Sequence, residues 1–221
     1  MTTKTGIIFD MDGTLIDSSA AVPDAFIKTV AEFGLTVQTR EEIVALYHIG
    51  PPKALFSHLL GYPTSAAVID AYHRNLAVEA QQVQPYDGIV ALLEALQPQV
   101  KLGVYTGGSH GAAEILLGIT GLIDYFDVFV GGDEVEHPKP APDGLFKAFG
   151  ALSLDPKEGV YIGDSPYDID AARRAGALPI GAGWGHLFEK QDGEVVANHP
   201  LEVLEIVNIT NTMLNYGSIT S

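Results

Sequence analysis

Six polar residues stand where apolar segments stop, and their types suit one kind of chemistry. Asp10 and Asp12 close the run Gly6-Ile7-Ile8-Phe9, and Gly13 then turns the chain. Thr106-Gly107-Gly108 follows a second apolar run, Lys139 sits between Pro138 and Pro140, and Asp164 and Asp168 follow a third run. Ionised carboxylates beside a core cost free energy unless a cation or hydrogen bonds compensate them. Asp10, Asp12 and Asp164 are hard oxygen donors with no His or Cys among them, a set suited to Mg²⁺. Magnesium keeps several waters and usually binds through one or two carboxylates together with a substrate phosphate. Thr106 offers a hydroxyl, Gly107 and Gly108 let backbone N–H groups approach a phosphate closely, and Lys139 supplies a fixed positive charge. Together these groups describe phosphoryl transfer with a carboxylate available to attack phosphorus.

These residues must be brought together by the elements that carry them. Residues 6–11, 102–106, 160–163 and 178–181 read as buried parallel strands, with a shorter one at 128–130. None shows polar alternation, as expected of strands covered on both faces. Helical patterns at 88–96, 111–117, 143–149 and 168–175 alternate with them. That alternation predicts an α/β fold with a doubly wound parallel sheet. In such a sheet the strand C-termini share one edge, where ligands bind. Residues 17–84 break the rhythm and read as consecutive helices at 20–33, 41–47, 53–60 and 65–82. Thr39 and Glu42 form a capping-box pattern for the second of these. The expected organisation is a core of residues 1–16 and 85–221 with an all-helical cap at 17–84. The tail at 216–221 is expected to fray.

Bulk composition narrows the classes. The chain has 221 residues, 47% apolar and 18% charged, with a formal net charge of −16. Twelve Lys and Arg are spread thinly, which argues against nucleic acid as a partner. No apolar run approaches the roughly 18 residues of a membrane span, and no secretory signal is visible. With no cysteine, disulfides and a thiol nucleophile are excluded. A cytoplasmic monomer or small homo-oligomer acting on a small phosphorylated metabolite is expected.

The order Asp10-Met11-Asp12-Gly13-Thr14, Thr106, Lys139, then Gly163-Asp164-Ser165 with Asp168, resembles the haloacid dehalogenase-like (HAD) hydrolase superfamily over residues 6–205. It is most similar to the phosphoglycolate phosphatase-like branch with a helical cap, so the sheet would be a Rossmann-like HAD core. The resemblance implies that Asp10 is the nucleophile and forms an aspartyl-phosphate, and that Asp12 protonates the leaving group and then activates water. It implies that Asp10, the Asp12 backbone carbonyl and Asp164 hold Mg²⁺, with Asp168 in the outer shell. Thr106, Gly107 and Lys139 would bind the phosphoryl group. The cap loop at Gly50 and Lys53 would select substrate. Many relatives carry a basic residue where this chain has Gly108; His110 is a candidate to replace it.

Singly, these residues have plainer readings. Thr106 alone suggests a helix N-cap, and Asp164 and Asp168 suggest caps of the next helix. His137 is a candidate substrate contact, and Trp184 a packing residue near the entrance. Phosphoglycolate is the first substrate the resemblance suggests, and pyrophosphate its rival. A sugar-phosphate mutase of the β-phosphoglucomutase type is disfavoured, because Val22 stands where those relatives place a histidine. Haloacid dehalogenation needs neither Asp12 nor Asp164.

Overall fold

The computed structural model describes residues 5–36, 39–190 and 195–207. The chain runs β1 (Gly6–Phe9), α1 (Ala21–Glu32), α2 (Arg40–Val44), α3 (Pro52–Leu60), α4 (Ala66–Glu79), α5 (Ile89–Leu96), β2 (Lys101–Tyr105), α6 (His110–Ile119), β3 (Val128–Val130), α7 (Asp143–Ala151), β4 (Gly159–Gly163), α8 (Pro166–Ala175), β5 (Leu178–Ala182) and β6 (Val196–Ala197). The strands form one parallel sheet in the order β3-β2-β1-β4-β5-β6. The sheet is doubly wound, as the alternation predicts. β6 is an addition, too short to show as an apolar run. The tail at 216–221 lies outside the described residues.

Side chains of β1 leave alternately on the two faces. Ile7 and Phe9 join a core with α5, α6 and the inserted helices, while Ile8 joins a second core with α7 and α8. Both faces are dry, so a run such as Gly6-Ile7-Ile8-Phe9 needs no polar alternation. β1 ends at Phe9, although the apolar pattern extends to Met11. Met11 is buried, but its carbonyl accepts from the N–H groups of Leu15 and Ile16, so the backbone has already turned.

The helices α1 to α4 lie between β1 and β2. The chain leaves and returns at one neck. Ile16 bridges Pro85, the Asp17 N–H donates to the Gln84 carbonyl at 3.1 Å, and the Tyr86 N–H donates to the Leu15 carbonyl at 3.1 Å. Phe26, Phe56 and Tyr72 make the aromatic centre of the insertion, with ring centroids 4.7–5.4 Å apart. The Thr39–Glu42 capping box forms as its spacing predicts. α2 stops at Val44, and Tyr47–Ile49 is a separate 3₁₀ turn. α4 lies against α6, where His73 Nε2 is 3.0 Å from Ser109 Oγ. Among the described residues, no helix is long and apolar enough to cross a membrane.

Candidate active site

β1 and β4 are neighbours, but the chain leaves them toward opposite edges of the sheet. That makes the crevice beyond their C-termini the switch point where open α/β sheets bind ligands. Asp10 follows β1 and Asp164 follows β4, so the strand order alone sets these carboxylates side by side. Thr106 follows β2 on the flank. Lys139 comes from the loop between β3 and α7, and the peptide joining it to Pro140 is cis.

The ammonium of Lys139 is the hub. It donates to Asp10 Oδ1 at 2.7 Å, to Asp168 Oδ1 at 2.7 Å and to the Tyr161 hydroxyl at 3.2 Å. Burial alone would favour loss of its proton, but Asp10 and Asp168 outweigh that and hold its pKa well above the ordinary value. Lys139 therefore remains a cation inside the protein.

Asp168 is hydrogen-bonded through both of its oxygens. Oδ1 takes the Lys139 ammonium and lies 3.0 Å from the Tyr161 hydroxyl, while Oδ2 accepts from the Ser165 N–H at 2.9 Å and the Ser165 hydroxyl at 2.6 Å. A carboxylate has about four lone-pair sites; Lys139 and Ser165 take three, and the single Tyr161 proton lies between the fourth and the Tyr105 carbonyl, 2.8 Å away. Ser165 in turn caps α8, so the cap of one helix also anchors this carboxylate. Gly163 is required for that fit, since a Cβ there would lie 2.4 Å from Asp168 Cβ.

Asp164 is differently held. Oδ2 accepts the Leu187 N–H at 3.0 Å, and one of its oxygens lies within 4.8 Å of oxygens of Asp10 and Asp168. Gly13 lies against it at φ +81°, where a Cβ would be strained and also 2.2 Å from Asp164 Oδ2. One oxygen each of Asp10, Asp164 and Asp168 lies within 4.8 Å of the others. Burial drives Asp10 well above the carboxylate range against the pull of Lys139. Burial, with the charge of Asp168 adding to it, brings Asp164 to about 7. A crowded, dry, all-oxygen group of this kind fits a divalent hard cation. Asp10 and Asp164 have the more open acceptor sites for one; Asp168, bonded through both oxygens, would support them from behind.

Asp12 sits across the crevice. Its Oδ1 accepts from the Ser18 hydroxyl at 2.5 Å, and the Thr106 hydroxyl is 3.4 Å from Oδ2. Burial raises its pKa; the Ser18 hydrogen bond, Lys139 and His186 oppose the rise. Thr106 is not a helix cap. Its Oγ1 accepts the Gly108 N–H at 3.0 Å, and Ser109 caps α6.

A cavity of about 650 Å³ opens over these residues, with Asp10, Asp12, Thr106, Gly107, Lys139 and Asp164 at its floor. Gly50 lines its upper wall, whereas Lys53 does not; Lys53 is exposed on α3. His110 and His137 are also outside the lining. His110 Nδ1 lies 2.8 Å from Glu134 and His137 Nδ1 3.0 Å from Asp143. Trp184 ties the floor together by donating from Nε1 to the Thr14 carbonyl at 2.9 Å. Two participants carry no sequence signal: Tyr161, which reads simply as a strand former, and His186, which lines the cavity from a loop without a motif.

Comparison with known proteins agrees with this geometry. Residues 7–182 match the family model described as haloacid dehalogenase-like hydrolase. The chain is similar to a phosphoglycolate phosphatase of Aquifex aeolicus, 30% identical over 205 residues that cover 91% of this chain and 96% of that protein. It is similar to pyrophosphatase PpaX of Listeria monocytogenes, 33% identical over 184 residues, with 81% and 83% covered. In three dimensions it resembles CbbY from Rhodobacter sphaeroides solved in complex with phosphate, with a TM-score of 0.79 and 26% identity, covering 92% of this chain and 96% of that one.

Proposed function

The chain belongs to the haloacid dehalogenase-like hydrolases, as a phosphoglycolate phosphatase-like member that acts on phosphate esters, and from that we propose a Mg²⁺-dependent phosphomonoesterase working through an aspartyl-phosphate on Asp10. The observation that carries this reading is Asp10 itself. It is a buried carboxylate held by a lysine and faced by a second carboxylate, Asp12, at the floor of a cavity.

Asp10 and Asp164, with the Asp12 backbone carbonyl, would hold Mg²⁺, which supplies charge neutralisation for the transferring phosphoryl group. Everything else falls to the chain. Lys139 fixes Asp10 Oδ1 and keeps a positive charge beside the place where phosphoryl oxygens gather. Thr106 and the Gly107 backbone flank the same place. Asp10 attacks phosphorus while Asp12 gives its proton to the leaving oxygen. Asp12 then takes a proton from the water that hydrolyses the acyl phosphate. Burial raises Asp12 in the direction a general acid requires. The inserted helices wall one side of the cavity and would limit the access of bulk water. Among substrates, phosphoglycolate and pyrophosphate come from the names of the similar proteins.

Asp10→Asn tests the mechanism. It removes the attacking oxygen but keeps the shape, so phosphate release from a panel of esters with Mg²⁺ is expected to fall to background while circular dichroism stays unchanged. Chelation by EDTA is expected to stop wild-type release and added Mg²⁺ to restore it. Wild-type turnover by the variant, or EDTA-resistant turnover, would contradict the proposal.

A further inference from the structure

The cavity above the phosphoryl site is roomy and largely apolar, and among the described residues Lys139 is its one Lys or Arg. Its volume of about 650 Å³ lies within the roughly 300–1,000 Å³ of sites that hold drug-sized ligands, far more than a pyrophosphate or a two-carbon ester fills. The apolar surface it presents comes from Val22, Val44, Tyr167 and Leu187, while Phe26, Leu55, Ala112 and Leu116 border it from within the packed core. Tyr47 and Tyr72 also line it, and burial raises both phenols above their ordinary pKa. They are neutral donors.

Charge follows the same pattern. The lining carries five carboxylates, Asp10, Asp12, Asp164, Asp168 and Glu189, against one Lys or Arg, Lys139. Lys139 is already shared between Asp10 and Asp168. The inserted helices contain four fixed cations, and none of them lines the cavity. Lys28 pairs with Glu79, Arg40 with Asp24 at 2.6 Å and Arg74 with Glu32 at 3.6 Å, while Lys53 is exposed on α3. His48 and His186 are the remaining lining nitrogen bases, and an imidazole is not a fixed charge. The His48 Nδ1 is 2.7 Å from the Ala45 carbonyl.

The geometry therefore points to a phosphate monoester whose leaving group is uncharged and largely apolar or aromatic. This rests on the phosphatase reading above and deepens it. A carboxylate or second phosphate on the leaving group would meet a wall whose one Lys or Arg among the described residues, Lys139, is already held by Asp10 and Asp168, while Mg²⁺ would be taken up by Asp10, Asp164 and the transferring phosphoryl group. An aromatic or branched aliphatic body would instead bury apolar surface against Val22, Val44 and Leu187. A hydroxyl or carbonyl on that body could accept from Tyr47 or Tyr72.

Kinetics on three substrates test this: benzyl phosphate, phosphoglycolate and pyrophosphate, each with Mg²⁺. Benzyl phosphate and phosphoglycolate both expel an alkoxide, so their difference reports the leaving group's body. Benzyl phosphate is expected to exceed both in kcat/KM by at least about tenfold. Calorimetry with Mg²⁺ present should show benzylphosphonate binding more tightly than phosphonoacetate, without turnover. Ala45→Lys adds a cation at an exposed position on the cavity rim. It is expected to narrow the benzyl-to-phosphoglycolate ratio by roughly tenfold, mainly by raising the phosphoglycolate value. Equal or higher kcat/KM for phosphoglycolate or pyrophosphate in the wild type would overturn the inference and leave the phosphatase reading standing. A ratio unmoved by Ala45→Lys would overturn the charge account. No phosphate release from any of the three would overturn the phosphatase reading and the inference with it.

Discussion

Removing the charge of Asp164 is expected to stabilise the metal-free protein at alkaline pH. The side chain is 2% exposed, and burial, with the charge of Asp168 adding to it, raises its pKa from 3.8 to about 7. Between those two values the folded protein holds a proton that the unfolded chain has released. Folded stability therefore falls as pH climbs through that window, and the full penalty applies above about 7. A rise of that size, at ~1.4 kcal/mol for each tenfold change in proton affinity, comes to about 4 kcal/mol as an upper value. Asn cannot ionise, yet it keeps an oxygen for the Leu187 N–H. At about 2–4 °C per kcal/mol for a chain of this length, Asp164→Asn should raise Tm in EDTA by up to roughly 16 °C at pH 8. The gap should shrink to less than half at pH 5 and vanish below pH 4. With saturating Mg²⁺ the order should reverse, because binding to the folded state stabilises the wild type and the variant has lost a ligand. Calorimetric melts of both proteins at pH 4, 5 and 8 decide it. An Asn variant that melts at or below the wild type in EDTA at pH 8 would refute the account of a carboxylate under electrostatic load.

Three further substitutions probe the same network. Lys139→Met leaves Asp10 and Asp168 buried without their cation and is expected to cost about 3–5 kcal/mol in urea unfolding at pH 8; a loss under about 1 kcal/mol would contradict the hub role. Tyr161→Phe removes a hydroxyl that lies 2.8 Å from the Tyr105 carbonyl and 3.0 Å from Asp168, and should cost about 1–3 kcal/mol in the same assay. Gly13→Ala forces a Cβ at φ +81° against Asp164 and is expected to lower phosphate release by about a hundredfold; wild-type turnover would show that the close approach of Gly13 to Asp164 is dispensable.

Much of this arrangement is legible in the sequence because a strand covered on both faces has a plain signature. Ile7-Ile8-Phe9 and Val160-Tyr161-Ile162 are continuous apolar runs, and the polar residues just beyond them must lie at the sheet edge. Strand ends are harder to read. Met11 stays apolar because it is buried, though the backbone has turned by then. Helix caps are ambiguous for a related reason: Thr106 and Ser109 are both good capping residues, and only the path of the loop shows that Ser109 caps α6. The hydroxyl of Tyr161 is invisible to pattern, since its partners come from residues 105, 139 and 168. His186 belongs to a loop whose course depends on the glycines around Asp164. Lys53 shows the converse, a cation near the expected selecting loop whose helix turns it to solvent.

The pairing of β1 has a consequence for how the protein is made. Gly6 pairs with Lys101 on one side and with Gly159 on the other, so both neighbours of the first strand are supplied much later in the chain. During synthesis β1 leaves the ribosome first and waits longest. The helices of residues 17–84 can pack locally in the meantime, whereas closing β1 onto β4 carries the entropy of a very long loop. Asp10 and Asp164 cannot meet before β4 has emerged. A nascent or truncated chain therefore holds its aspartates apart, and the crowding of like charges that defines the finished site is deferred until nearly the whole sheet exists to bear it.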